Sequence, residues 1–177
     1  NHAVVEALLA QGGAELQVGG GVRTEAQVDA WLAAGATRVV CGTRAIEDAA
    51  WRSSIVTRHP DRIVIAADVR GREVATRGWA EGSGLDVLQL LDALAPLPIA
   101  ALLVTAVHLE GRMAGPDVAL VRELAARTRI PLIASGGIAT VDDLHRLQDA
   151  GAAEAVLGMA LYTGALDAHT IAKEFSR

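Results

Sequence analysis

Glycines supply the first chemical signal in this chain. Gly19, Gly20 and Gly21 close the stretch LQVGGGVRT, and Gly136 and Gly137 close PLIASGGIAT. Each group follows an apolar run. Each is followed, after one helical stretch, by a second apolar run ending in glycine, Gly42 in VVCGT and Gly158 in AVLGM. Bare backbone at the end of a strand turns with positive φ and lets N–H groups approach a ligand, while the next helix points its positive end the same way. That is phosphate-binding chemistry. One isolated Gly-Gly pair needs no more explanation than a tight strand-to-helix turn. Here the pattern recurs at a constant offset, which pairs Gly20 with Gly136, Gly21 with Gly137, Thr24 with Thr140, Gly35 with Gly151, Val40 with Val156 and Gly42 with Gly158. Two copies point to two phosphate sites, and a small molecule with a phosphate at each end would fit them.

The elements that position these loops are legible as an alternation. Short runs rich in Val, Ile and Leu at 15–18, 38–41, 62–67, 99–105, 131–134 and 154–157 read as strands buried on both faces. Helix starts lie between them: Thr24 with Gln27 makes a capping-box pattern, Thr140 precedes Asp142 and Asp143, and Pro116 stands where a first-turn proline is tolerated. Strand, helix, strand, helix in this order predicts a parallel α/β sheet, because parallel neighbours need crossover connections. A phosphate loop that recurs in register with its following strand suits a closed barrel with half-barrel symmetry better than an open doubly wound sheet.

Composition limits the remaining choices. The chain has 177 residues, 51% of them hydrophobic and 21% charged, which predicts one globular domain over 1–177. The net charge is -5 and the basic residues are scattered, so neither nucleic acid nor an anionic membrane is an expected partner. No apolar run approaches a membrane span and no signal-like segment opens the chain, so a cytoplasmic location is expected. Cys41 is the sole cysteine; its apolar neighbours Val39 and Val40 make it a small buried residue rather than a nucleophile. No His, Cys and carboxylate cluster has metal-ligand spacing, so neither metal nor organic cofactor is expected.

The stretches LQVGGGVRT, VVCGTRAIED, AADVRGREVATRGW, LLVTAVHLEGRMAGPD, PLIASGGIAT and AVLGMALYTG together resemble the HisA family, the phosphoribosylformimino-aminoimidazole carboxamide ribotide isomerases of histidine biosynthesis. The resemblance implies a (βα)8 TIM barrel, a bis-phosphorylated substrate and an Amadori rearrangement of an aminoaldose to an aminoketose. It implies Asp68 at the end of a strand as the acid for ring opening, where catalytic groups stand in this fold. It implies Thr105 near the reacting ribose, Trp79 stacked on the imidazole ring and Arg23 near the first phosphate. Phosphate contacts are then expected from Gly20, Gly21, Gly42 and Thr43 in one half, and from Ser135, Gly136, Gly137, Gly158 and Met159 in the other. Rival readings are a HisF-type cyclase, a bifunctional isomerase serving histidine and tryptophan synthesis, and a noncatalytic phosphate-binding partial barrel.

Two departures from the family pattern stand out. Glu110-Gly111-Arg112 replaces the usual Asp-Gly-Thr after strand 6, which keeps a substrate-site carboxylate at Glu110 one methylene longer, and Ala106 stands where an acidic residue is usual. His108 beside them is read as a solvent contact. The sequence also shows about six strand-helix units, strands 3 to 8 of the barrel, and opens at Asn1 inside a helical stretch. This predicts that a preceding segment or a second chain supplies strands 1 and 2, with the strand-1 aspartate that serves the family as base.

Overall fold

The computed structural model describes residues 1–76 and 81–175. In chain order the elements are α1 (His2–Gln11), β1 (Gln17–Gly19), α2 (Glu25–Ala33), β2 (Arg38–Cys41), α3 (Thr43–Glu47), α4 (Ala49–Arg58) and β3 (Ile63–Arg70). Then come β4 (Glu73–Thr76), β5 (Glu81–Asp86), α5 (Val87–Leu94), β6 (Ala101–Ala106), α6 (Val118–Ala125) and β7 (Leu132–Ser135). The chain continues through α7 (Val141–Asp149), β8 (Glu154–Val156), α8 (Met159–Tyr162) and α9 (Ala168–Phe175). The class is α/β with parallel strands, as the alternation predicts. The chain divides into two compact units, Asn1–Ala66 with Pro96–Leu102, and Ala67–Ala95 with Leu103–Arg177.

In the first unit β1 pairs with β2 in parallel, Val18 opposite Val39 and Gly19 opposite Val40, and β2 pairs with β3, Val39 opposite Ile63 and Cys41 opposite Ile65. The helices start where their caps stand. Thr24 accepts from the Gln27 N–H while Gln27 reaches back to the Thr24 N–H, a complete capping box, and Asp48 accepts from Trp51 to open α4. Val28, Val39, Cys41, Ile55, Val56, Ile63 and Ile65 are at most 1% exposed and form this unit's core. Burying each such side chain is worth about 1.5–3 kcal/mol, which is what holds α2 and α4 to the strands. Burial also pushes the Cys41 thiol up to about 12, as suits a structural residue.

In the second unit β7 pairs with β8 in parallel, Ile133 opposite Glu154 and Ser135 opposite Val156. Val118, Val121, Ala134, Ile138, Leu144, Leu147 and Leu166 form its core. The strict alternation fails here. Beyond Asp68 the chain doubles back through Gly71 (φ 61) into β4, antiparallel to β3 with Asp68 opposite Ala75, and β5 pairs with β4 in turn. Glu73-Val74-Ala75 alternates in the way a half-buried strand does, and Val74 is fully buried. Pro116 also differs from expectation: α6 is capped by Asp117, which accepts from Leu120 at 3.0 Å, so the proline precedes the cap and shapes the entry to it.

Candidate functional site

The first glycine loop lies wholly in the first unit. Gly20 has φ 105 and Gly21 φ 69, conformations that L side chains rarely adopt, and both are exposed. Gln27 Oε1 accepts from the N–H of Arg23 at 2.8 Å and of Thr24 at 3.1 Å, which fixes the far side of the loop. The pairing of Gly19 with Val40 sets this loop beside the end of β2, where Gly42 and Thr43 begin the next turn and Ala45 N–H returns to the Gly42 carbonyl at 2.8 Å. Gly20, Gly21, Gly42 and Thr43 are therefore brought together by one strand register. Arg23 is exposed at the loop's end.

The second loop, in the second unit, repeats this backbone almost bond for bond. Gly136 has φ 100 and Gly137 φ 81. Asp143 Oδ2 accepts from the N–H of Ala139 and Thr140, both at 3.1 Å, in the role that Gln27 plays in the first loop. Ala153 N–H meets the Leu132 carbonyl at 2.8 Å as Thr37 meets Leu16 at 2.8 Å, and Leu161 returns to Gly158 at 3.0 Å as Ala45 returns to Gly42. The repeat read from glycine spacing is thus a repeat of hydrogen bonds.

Ser135, Gly136, Gly137, Gly158, Met159 and Glu110 line one cleft that encloses about 330 Å³ of empty space open to solvent, together with Gly111, Met113, Ile138 and Val156. Six predicted residues thus share one wall. The other four were not expected. Val156 has the repeat partner Val40 as a signal, whereas Met113 arrives through a positive-φ turn (φ 51) that nothing in its residue type announces. Glu110 puts the single carboxylate on a cleft otherwise lined by glycines, Ser135 and the apolar residues Met113, Ile138, Val156 and Met159. A carboxylate repels phosphate oxygens at this range, so its chemistry there is with a hydroxyl or a proton.

Asp68 and Thr105 also lie in the second unit. The Val107 N–H donates to the Val69 carbonyl at 3.0 Å, which joins the ends of β6 and β3. Burial alternates along both strands, so Asp68 and Thr105 stand on the less buried faces while Ala67, Val69, Val104 and Ala106 are covered. Both are half-buried and close the strand ends. His108 departs from expectation: it is half-buried in the turn after β6 and its Nδ1 is shielded from solvent. Val107 before it is buried as well. Trp79 lies outside the described residues. Among the described residues no helix is long and apolar enough to cross a membrane.

Residues 1–167 match a family described as histidine biosynthesis protein. The chain is similar to 1-(5-phosphoribosyl)-5-((5-phosphoribosylamino)methylideneamino) imidazole-4-carboxamide isomerases. It is 55% identical to that of Myxococcus xanthus over 164 residues, 93% of this chain and 69% of the relative. It is 49% identical to that of Gemmatimonas aurantiaca over 175 residues, 99% of this chain and 74% of the relative. It is 42% identical to that of Sorangium cellulosum over 165 residues, 93% of this chain and 68% of the relative.

Proposed function

This chain belongs to the histidine biosynthesis protein family, and from that premise we propose that it is an aldose-ketose isomerase acting on a bis-phosphorylated imidazole carboxamide ribotide. The supporting observation is the repeat of loop geometry: two Gly-Gly turns with matched φ angles, each buttressed by one side-chain oxygen on two N–H groups. Backbone N–H groups freed in this way donate charge-assisted hydrogen bonds to phosphate oxygens. Each loop takes one phosphate of the substrate. Gly20, Gly21, Gly42 and Thr43 serve one, with Arg23 adding charge, and Ser135, Gly136, Gly137, Gly158 and Met159 serve the other.

The rearrangement runs in two proton-transfer stages. In the first, an acid protonates the ribose ring oxygen as the C1–O bond breaks, and the C1 nitrogen lone pair forms the C=N bond of an iminium. In the second, a base removes the C2 proton, the electron pair moves to give an enaminol, and loss of the C2 hydroxyl proton with protonation at C1 yields the aminoketose. We assign the acid to Asp68, at the end of β3, and the positioning of the ribose to Thr105. Glu110 faces a substrate hydroxyl rather than phosphate, and Trp79 stacks on the imidazole. No metal and no organic cofactor enters these steps, because side-chain proton transfers balance them.

The test is Asp68→Asn in the enzyme. Turnover should fall by about 10³-fold or more while affinity for the bis-phosphorylated substrate stays within about tenfold, as for a group acting mainly in the transition state. Unchanged turnover removes Asp68 from the mechanism.

A further inference from the structure

Arg52 is a buried arginine without a carboxylate. It is 7% exposed on α4, and its Nη1 donates to the carbonyls of Ala45 and Ile46, the second at 3.4 Å. Its Nε is buried with no hydrogen-bond partner, and no carboxylate oxygen of a described residue lies within ion-pair distance of it. Asp48, the acidic group whose charge it feels, spends its oxygens on the Trp51 N–H and the Arg44 guanidinium. Burying a guanidinium in this state is costly.

Its two acceptors locate a role for it. Ala45 and Ile46 belong to the single turn that starts at Gly42 and Thr43, and both of their N–H groups return to the Gly42 carbonyl, at 2.8 Å and 3.3 Å. Nη1 shared by the carbonyls of Ala45 and Ile46 therefore ties α4 to the turn that opens at Gly42 and Thr43. The repeat sharpens the point. Counted from the capping aspartates, Asp48 before α4 and Asp167 before α9, Ile171 stands in the second unit where Arg52 stands in the first, and the turn after β8 is tied instead by the Thr163 hydroxyl on the Met159 carbonyl at 2.9 Å and by Leu166 N–H on the Ala160 carbonyl at 2.9 Å. The second turn is held by neutral groups and the first by a cation.

We propose that Arg52 is a positioning residue for anion binding at the first loop: it ties the turn carrying Gly42 and Thr43 through the Ala45 and Ile46 carbonyls, and brings to that turn a buried positive charge with no direct carboxylate partner among the described residues, which a bound phosphate would match. This rests on the reading of the loops as phosphate sites. The structure supplies an internal control, because the second loop has no counterpart of Arg52.

The experiment is a titration of the ¹⁵N-labelled chain with inorganic phosphate, following the amides of Gly42 and Thr43 and, separately, those of Gly136 and Gly158. In Arg52→Met the phosphate affinity reported by Gly42 and Thr43 should fall about tenfold, as loss of one nearby charge and its clamp implies, with the second loop unchanged within about twofold. Arg52→Lys keeps the charge but not the reach of the guanidinium Nη1 to both carbonyls, and should bind phosphate at the first loop about two- to threefold more weakly than the parent. Parity of the Met variant with the parent at Gly42 and Thr43 overturns the proposal, as does an equal loss at both loops. If the Met variant does not fold, the Lys variant decides: a loss of about two- to threefold confined to Gly42 and Thr43 supports the clamp, and a first-loop affinity equal to the parent's, or an equal loss at both loops, overturns it. Silence of both loops in the parent overturns the phosphate reading itself, and the proposal with it.

Discussion

The two glycine loops share one backbone and differ in what surrounds it. Gly20 and Gly21 are exposed, and a Cβ added to either would meet no atom within 4 Å. Gly136 and Gly137 are buried under the turn that follows β6: a Cβ on Gly136 would lie 2.8 Å from the Ala106 carbonyl oxygen, and one on Gly137 would overlap the Gly115 carbonyl. The Gly115 N–H closes this contact on the Gly137 carbonyl at 2.9 Å. One position earlier the relation reverses. A Cβ at Gly19 would be 2.8 Å from Val40 Cβ, whereas Ser135 stands at the same register in the second loop. The same residue type thus answers to different constraints: in the first loop glycine serves φ and access of a ligand, while in the second it also serves packing of a covering segment.

Substituting the glycines is the strongest way to break this comparison. Gly137→Ala combines a positive φ with a backbone clash that no rotamer relieves, and should cost about 3 kcal/mol or more. Gly21→Ala pays only the left-handed conformation, about 1–2 kcal/mol. Urea denaturation midpoints of the two variants measure the difference. Equal shifts would show that the covering segment moves aside freely, so that the second loop is as open as the first.

What made these loops readable from sequence was their locality. Thr24 with Gln27 and Thr140 with Asp143 announce helix starts through contacts three residues apart, and glycines after apolar runs announce the turns. The burial of Cys41 followed from its valine neighbours. The unread parts depend on partners distant in sequence. The β4 and β5 ribbon was hidden because Glu73-Val74-Ala75 is too short to declare a strand until β3 offers it a pairing edge. The first strand was placed at 15–18 but forms at Gln17–Gly19, since ladder partners in β2 rather than composition decide its ends. Met113 and the shielded Nδ1 of His108 belong to the same covering turn, and no local pattern says what a turn will cover.

The buttresses differ in kind, and this gives a smaller effect to test. Asp143 is 5% exposed, accepts from the N–H groups of Ala139 and Thr140, and pairs with Arg146 at 3.3 Å. Gln27 makes the equivalent bonds from an exposed position. Asp143→Ala removes a buried acceptor from two part-buried N–H bonds together with its pairing to Arg146, and should cost about 2 kcal/mol, whereas Gln27→Ala leaves exposed donors that water reaches and should cost under about 1 kcal/mol. Thermal melts of the two variants check this order. A reversed order would mean that the exposed loop is held more tightly than its packing implies.

Acid should separate the turns that follow β2 and β8, with the smallest effect of the three. The N–H of Trp51, joined by the Arg44 guanidinium, holds the Asp48 carboxyl below the usual carboxylate range. A group whose folded pKa is depressed adds stability that is complete above its unfolded pKa and is lost as pH falls through the folded value. For Asp48 that window opens below about pH 4. Asp48 is exposed enough for water and salt to screen most of its pairing, so the effect is local. After β8 the carboxylate cap stands apart from the turn: α8 starts at Gly158 and its end is tied by the Thr163 hydroxyl, while Asp167, whose carboxyl the Thr170 N–H likewise holds low, caps α9 without closing α8, as Asp48 closes α3. Amide exchange protection at Ala45 and Asp48 should therefore decline on acidification before that at Leu161 and Thr163, and Asp48→Asn should remove the difference. Parallel decline at both turns, or a difference that survives the substitution, would mean that Asp48 is not what sets the first turn apart. The cationic clamp at Arg52 would then carry that distinction alone.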